Sequence, residues 1–496
     1  MAFAFKFEPP RLRLTGGRRL RGIRYFVQDK RWLIVALLLG LALFVAPTPD
    51  GLTQDGKVVL IMSAVAVVLF IAEPIPLPAV ALMIIVGQVL LIPKLDSSTV
   101  ARSLMNDSVL FIMGSLMLAV AIVRQKLDKR LAFLIVRITG TKTRNVAIGI
   151  ATASGVLASF VGEHTVAAMM LPVALTLINL LSDDPKAVRN LSAILLFSIA
   201  YGCAIAGIGT PSGGARNAIM IGYWREFFFD PADPATAKYS VDYARWMLFC
   251  YPLFLAQIPL LIAILFFTFR PEQDDMARAV VRLREQIAQE GSLSGSHWAT
   301  MIIFAATLLG WIFLSGTLGL GTIALMGAVT FLALGLVRWD DLNSGVNWGV
   351  VLLYGAAISL GVQMKDTGAA EWVAATFVNA LPEFMEHGTG LFAAVSVLTT
   401  LVTNSMSNGA AVAVLGPISL NMASASGESP LTLGLVTAVS SAFAYLTVVG
   451  TPACTIVYAS GYLKTTDFLK VGYKMAIMST SVLLLFATFY WPLLEG

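Results

Sequence analysis

The chain has 496 residues, of which 57% are hydrophobic and 13% charged. Soluble domains carry about 25% charged residues, so this composition, with a mean hydropathy of +0.80, excludes a soluble enzyme, a disordered chain and a nucleic-acid binder. The net charge of +5 comes from basic residues clustered between apolar runs and implies no anionic macromolecular partner.

Residues 1–31 hold nine Lys/Arg against Glu8 and Asp29. The apolar run from Trp32 to Pro47 is not followed by a small-residue cleavage pattern. The arm is therefore expected to stay cytoplasmic as a positive-inside anchor. A spanning helix needs about 20 apolar residues. Candidate segments are 32–47, 58–73, 77–93, 108–123, 144–182, 190–224, 243–269, 297–315, 318–337, 346–363, 390–424, 431–463 and 473–492. Between 124 and 144 stand seven basic residues and one acid, Asp128, which assigns that stretch to the cytoplasm. The segments 144–182, 190–224, 390–424 and 431–463 are too long for one simple span, and each has polar or Gly/Pro residues in its middle. The first and third read as re-entrant hairpins, the second and fourth as broken helices. Residues 270–296 read as a charged cytoplasmic connector. The resulting expectation is an all-α polytopic membrane protein with eleven spans, two re-entrant hairpins and an outside C-terminus.

Smaller features take ordinary roles. Glu73 in AEPIPLP marks a turn, and Asn106-Asp107 caps the fourth span. His387 falls in a loop and His297 at an interface. Trp298, Trp311, Trp348 and Trp491 are expected as interface anchors, and Lys365-Asp366 as the outside end of a span. Cys203, Cys250 and Cys454 have no paired spacing, so neither a disulfide framework nor a zinc site is expected. The motifs of ATP-driven pumps and common membrane hydrolases are missing, so the chain is not expected to be an enzyme. Glu163-His164 is the single adjacent acid/base pair within a span, and it has no third partner.

An internal repeat organises the rest. NDSVLFIMGSLML at 106–118 aligns with NWGVVLLYGAAIS at 347–359, HTVAAMMLPVAL at 164–175 with GAAVAVLGPISL at 409–420, and GIGTP at 207–211 with VVGTP at 448–452. The offsets are 241, 245 and 241. Five crossings separate the copies, so they run in opposite directions, the usual build of a secondary transporter. The domain expectation is a basic arm 1–31, scaffold helices 32–107, a first repeat 108–269, the connector 270–296, further scaffold helices 297–345 and a second repeat 346–496.

The interruptions point to a site. Gly-Thr-Pro in mid-span removes an amide donor and permits unusual backbone angles. Freed backbone groups at membrane depth must be buried in protein or face a wet cavity. Half-helix N-termini suit an anion and freed carbonyls a cation. The breaks at 207–217 and 448–454 therefore place a site between the repeats. The hairpin interiors add Gly162-Glu163-His164-Thr165 and Asn404-Ser405-Met406-Ser407-Asn408-Gly409, polar residues that are costly inside a span unless they serve a pathway or a partner.

At these residues the chain resembles the divalent-anion/sodium symporter family, over about residues 55–495. That family has a Ser-Asn-Thr motif at each hairpin tip, nine residues before a Pro when counted from its Asn. Ser407-Asn408-Gly409 stands at this distance from Pro417, and Gly162-Glu163-His164 from Pro172. The family's Gly-Thr-Pro-Pro-Asn-like break corresponds here to Gly213-Gly214-Ala215-Arg216-Asn217 and to Gly450-Thr451-Pro452-Ala453-Cys454. The resemblance implies a homodimer that moves a dicarboxylate, citrate or sulfate, most often with sodium, by an elevator motion of a transport domain against a scaffold. Substrate would meet His164, Thr165, Arg216, Ser407, Asn408, Gly409, Thr451 and Pro452. Sodium, or a charge in its place, would involve Glu163, Gly209, Arg216 and Asn217 in one half, and Asn408 and Gly450 in the other. No other cofactor is implied, and no nucleic acid; membrane lipid and a small dianion, most readily a C4-dicarboxylate, are the partners, in a bacterial-type inner membrane.

The departures matter. Glu163, His164 and Arg216 are ionisable where the family has neutral residues. A lone Arg in a membrane is costly unless paired, and Glu163 is its nearest candidate. Arg216 could supply in cis the positive charge that sodium supplies elsewhere, favouring sodium-independent or proton-linked exchange. The pair could instead be structural, or sodium could still be used with Glu163 as a ligand, in a sodium-coupled dicarboxylate or sulfate symporter. An anion channel is the remaining alternative.

Overall fold

The computed structural model describes residues 29–495 except 94, 126–139, 183, 185, 278–280, 282–293 and 449. Most of the N-terminal arm, most of the basic 124–144 stretch and most of the 270–296 connector lie outside the described residues. Those described are helical and form no strand, apart from an isolated bridge between Lys142 and Asp275. This follows from the solvent: in lipid each segment has to satisfy its own backbone groups.

The chain runs α1 (Arg31–Val45), α2 (Gln54–Ala72), α3 (Leu77–Leu91), α4 (Ser97–Leu104), α5 (Asp107–Arg124), α6 (Thr143–Val161), α7 (Glu163–Asn179), α8 (Arg189–Ala206), α9 (Ala215–Phe228) and α10 (Tyr243–Thr268). It continues α11 (Gly295–Leu318), α12 (Leu320–Ala333), α13 (Trp339–Gly345), α14 (Trp348–Asp366), α15 (Ala369–Asn379), α16 (Gly388–Thr403), α17 (Asn408–Ser426), α18 (Pro430–Ser440), α19 (Pro452–Tyr458), α20 (Thr465–Leu485) and α21 (Trp491–Glu495), the last two joined by a π-helical turn. Among the described residues nine helices are long and apolar enough to cross a membrane, and five shorter apolar helices accompany them. Helices α4, α13 and α15 do not stand out as separate elements in the hydropathy pattern, being only 8, 7 and 11 residues long.

Several caps form as the sequence suggests. The Asn106 side chain accepts from the Val109 amide at 3.0 Å. Glu73 closes α2 in the left-handed region at φ 43, between the helix and the prolines that follow. Lys57, buried in α2, donates its ammonium to the carbonyls of Phe44 and Ala46 and so neutralises the negative end of α1.

The repeat is visible in the packing. Helices α6 and α7 form the first hairpin, α16 and α17 the second, and α8 and α18 follow them in the same relation. The pairings across the copies are reciprocal. Helix α5 packs on α12 while α14 packs on α3, and α9 packs on α17 while α19 packs on α7. The correspondence thus reaches back to the helices before residue 108 and before residue 346. Pro172 and Pro417 lie inside α7 and α17. Each removes one helical hydrogen bond. The carbonyl freed four residues before Pro417, that of Ala413, accepts instead from the Tyr223 hydroxyl of α9 at 2.8 Å.

Two tryptophans differ from expectation. Trp298 is exposed and Trp348 half-buried, but Trp311 and Trp491 are fully buried. Trp311 stacks on Tyr243, meets Phe111 edge-on and donates its indole N–H to the Leu320 carbonyl at 3.1 Å. Trp491 donates to the Phe249 carbonyl at 2.9 Å. Each indole found a carbonyl within the core, so neither ring needs the headgroup region to satisfy its N–H.

Candidate functional site: two hairpin tips against two broken helices

The first tip is one residue long. Helix α6 ends at Val161, Gly162 takes φ 95, and α7 starts at Glu163. A residue with a side chain is strained at that angle, so Gly162 is what allows the chain to reverse there. The first break follows α8. Helix α8 stops at Ala206, Pro211–Gly213 form a short 3₁₀ turn, and α9 begins at Ala215.

Several carbonyls this break sets free are recovered by side chains. Asn217 donates its amide to the carbonyls of Gly207 and Thr210, both at 2.7 Å. Trp246 donates to the Ile208 carbonyl at 2.8 Å. Thr210 donates to the Ser159 carbonyl of α6, and Ser159 returns a bond to the Ala206 carbonyl at 3.1 Å.

Arg216 fills the rest of the break. Its guanidinium lies between two glycines: a Cβ on Gly207 would stand 2.6 Å from Nη2, and one on Gly214 2.8 Å from Nη1. Nη1 is 3.6 Å from Glu163 Oε1, and Nη2 donates to the Ala204 carbonyl at 3.5 Å. Both partners are buried, the side chains 2% and 10% exposed. The pair expected from sequence therefore forms.

The second break starts earlier than expected. Helix α18 ends at Ser440 and α19 begins at Pro452, so the opening covers 441–451 rather than 448–454. The hairpin tip holds it open. Thr403 donates to the Ser441 carbonyl at 2.7 Å. The Asn404 amide donates to the Phe443 carbonyl at 3.1 Å, and its Oδ1 accepts from the Leu446 amide at 2.9 Å. Thr447 donates to the Asn404 carbonyl at 3.0 Å. With partners waiting for these backbone groups, the helix loses its reason to continue past Ser440. No Asp, Glu, Lys, Arg or His occurs in either 404–409 or 441–451.

The two tips touch. Asn408 donates its amide to Glu163 Oε1 at 3.2 Å while its own Oδ1 accepts from Thr403 at 2.9 Å. Glu163, Arg216 and Asn408 are thus brought into one buried cluster. Glu163 Oε2, Arg216 Nε and Asn217 Oδ1 are buried there without a hydrogen-bond partner. His164 is exposed, Thr165 and Ser407 are half-buried, and Pro452 is exposed. Ser407 and Thr451 cap α17 and α19, accepting from the amides of Ala410 and Cys454 at 3.4 and 3.1 Å. Gly209 and Gly450 are buried in the two breaks. Gly409 is pressed against the Tyr354 ring of α14.

Sequence reasoning named Asn404 only as part of the second hairpin's polar interior and did not single out Ser159, Thr403, Tyr223 or Tyr354. A signal existed for one pair: the hairpin offset of 245 places Ser159 opposite Asn404, and both bind the break beside their tip. Chemically, the first half offers a fixed guanidinium–carboxylate pair where carbonyls are already occupied. The second half offers neutral oxygens and amides.

The whole helical region, residues 28–496, matches the family described as the sodium:sulfate symporter transmembrane region. Among curated relatives, a sodium-dependent dicarboxylate transporter, SdcS, of Staphylococcus saprophyticus is 25% identical, the match covering 93% of this chain and 92% of that one. A sodium-dependent high-affinity dicarboxylate transporter of Caenorhabditis elegans is also 25% identical, over 84% of this chain and 80% of its own. An uncharacterized transporter of Haemophilus influenzae is 27% identical, over 78% and 81%. Of solved structures, the YdaH transporter of Alcanivorax borkumensis superposes with a TM-score of 0.55 at 14% identity, over 82% of this chain and 90% of that one. MtrF of Neisseria gonorrhoeae superposes with a TM-score of 0.55 at 11% identity, over 93% and 94%.

Proposed function

The chain belongs to the sodium:sulfate symporter family, and from that premise we propose that it is a secondary carrier of small divalent anions, C4-dicarboxylates first among them. The dianion binds between the hairpin tips at His164, Thr165, Ser407, Asn408 and Gly409, with Thr451 and Pro452 behind them. The tips and breaks travel as a transport domain against a scaffold by an elevator motion, in a homodimer held in a bacterial plasma membrane with its N-terminus inside. Relatives named as sodium-dependent dicarboxylate transporters support the substrate class.

The observation that carries the mechanistic reading is Arg216 inside the first break. A guanidinium between Gly207 and Gly214, paired with Glu163 and bonded to the Ala204 carbonyl, occupies the place where freed carbonyls would otherwise hold a cation. Arg216, its charge balanced by Glu163, then stands in place of a bound cation in that half, and transport runs as exchange without sodium. The uncharged second half favours the other reading, sodium coupling through Asn408, Gly450 and the 441–451 carbonyls.

Uptake of labelled succinate into proteoliposomes preloaded with unlabelled succinate, in sodium and in choline, separates the two. Equal uptake is the expected result. Uptake in sodium alone would show that a cation site still works. A carrier shows this trans-stimulation, a channel does not, and an enzyme would alter the succinate. If neither medium supports uptake, the same assay with sulfate decides whether the substrate class is wrong.

A further inference from the structure

Helix α14 presents one stripe to the hairpin and break elements. Tyr354, Ala357, Gly361 and Lys365 follow one another at spacings of three, four and four residues, which puts them on a single helical face. Each has a partner there. Lys365 donates to the carbonyls of Glu226 and Phe227 at the end of α9, at 3.2 and 3.0 Å. Gly361 leaves room for the Tyr223 ring, and the Tyr223 hydroxyl lies 3.3 Å from the Ala357 carbonyl. These contacts fix the register of α14 against α9. They deliver the last member of the stripe, Tyr354, to the second hairpin tip.

There the ring and its hydroxyl lie against Gly409 so closely that a Cβ would overlap them. Tyr354 is 8% exposed. It belongs to neither hairpin and neither broken helix. The repeat offset of 241 places Met113 at the matching position of α5, so the second copy has an aromatic wall where the first has a flexible aliphatic chain.

We propose that Tyr354 is a specificity-determining residue of the anion site: its ring, pressed on Gly409 of the tip, forms the wall that limits the length of the bound dianion. This rests on the reading that a small dianion binds at the hairpin tips. A rigid ring pressed on a tip glycine leaves no slack, so each added methylene must displace the ring or the tip. A close-fitting apolar wall discriminates by about tenfold or more per methylene.

The test is inhibition of labelled succinate counterflow by unlabelled succinate, glutarate and adipate, in the wild type and in Tyr354→Ala and Tyr354→Phe. The wild type is expected to prefer succinate over adipate, two methylenes longer, by at least about a hundredfold. Tyr354→Ala should bring that ratio close to one. Tyr354→Phe keeps the ring, so it should keep the ratio, with KM for succinate and turnover little changed. A wild type that binds all three diacids alike overturns the inference without any variant. So does a transporting Tyr354→Ala that keeps the full preference. If the wild type shows counterflow with neither succinate nor sulfate, the dianion reading itself fails, and the inference with it.

Discussion

Glu163 and Arg216 carry the sharpest consequence of any two residues. Each is buried, and each is the other's ion-pair partner. Removing one member of a buried pair strands the other charge, which costs about 3–5 kcal/mol. Glu163→Ala and Arg216→Ala should therefore each lower thermal stability in detergent by a wide margin. The double variant should lose less than the sum, because no charge is left unpaired, and the shortfall is the coupling read from a double-mutant cycle. Additive losses would mean that the two charges do not depend on each other. Arg216→Ala should also abolish exchange in proteoliposomes; normal transport by that variant would remove Arg216 from its role as the fixed charge. The pair was legible from sequence because two opposite charges fell on the same half of the repeat. Asn408 as their third partner was not, since its 3.2 Å contact with Glu163 spans 245 residues.

At the scale of elements, the broken helices depend on the hairpins beside them. The Asn404 side chain serves the carbonyls of Thr400 and Phe443 and the amide of Leu446. Asn404→Ala leaves at least two groups of the second break without a partner, at about 1–3 kcal/mol each. The expected outcome is a clear drop in melting temperature and loss of transport, while Ser405→Ala, on an exposed side chain of the same tip, leaves the melting temperature unchanged. Equal behaviour of the two variants would show that Asn404 does not hold the break. The onset of that break at 441 illustrates the limit of pattern reading. Gly-Thr-Pro announces where a helix cannot continue, but Ser441-Ala442-Phe443 could have stayed helical. It is released because Thr403 and Asn404 stand ready to take its backbone groups.

Across the whole molecule, the two copies are packed unequally. Helix α9 lies against both α5 and α14 as well as α17 and α18, whereas its counterpart α19 packs on α7 and α8. Arg225 of α9 is 3.6 Å from Asp107 of α5, and Lys365 of α14 caps the end of α9. An inverted repeat caught in one of its two facing states would show this imbalance, with one copy's contacts made and the other's open. These are partly exposed charges, 53% at the Arg225 side chain, so each contact contributes only about 0.2–1 kcal/mol. Arg225→Gln should accordingly change the succinate exchange rate by no more than about fivefold, leave KM for succinate unaltered, and lose its effect in high salt, where surface charge is screened. A large KM change would place Arg225 in the anion's surroundings instead of between two moving parts.

The sequence alone determined that the chain lives in lipid, that its two halves repeat the same motifs in the same order, and where its two hairpins turn. These follow from composition, from period and from Gly and Pro, all of which act locally. The family resemblance also made Glu163 the candidate partner of Arg216, because both would flank the first cation site. Tertiary structure decided the rest: that Trp311 and Trp491 are core residues, that the second break opens at 441, that Asn408 joins the tips, and that the Tyr354 ring packs on one of them. In each case the deciding partner lies on another element: a core carbonyl for an indole, the Thr403 hydroxyl and Asn404 amide for the second break, the Glu163 carboxylate for Asn408, and Gly409 for the Tyr354 ring. Such complementarity leaves no periodic trace in the chain, since either half of the contact has an ordinary reading when seen by itself.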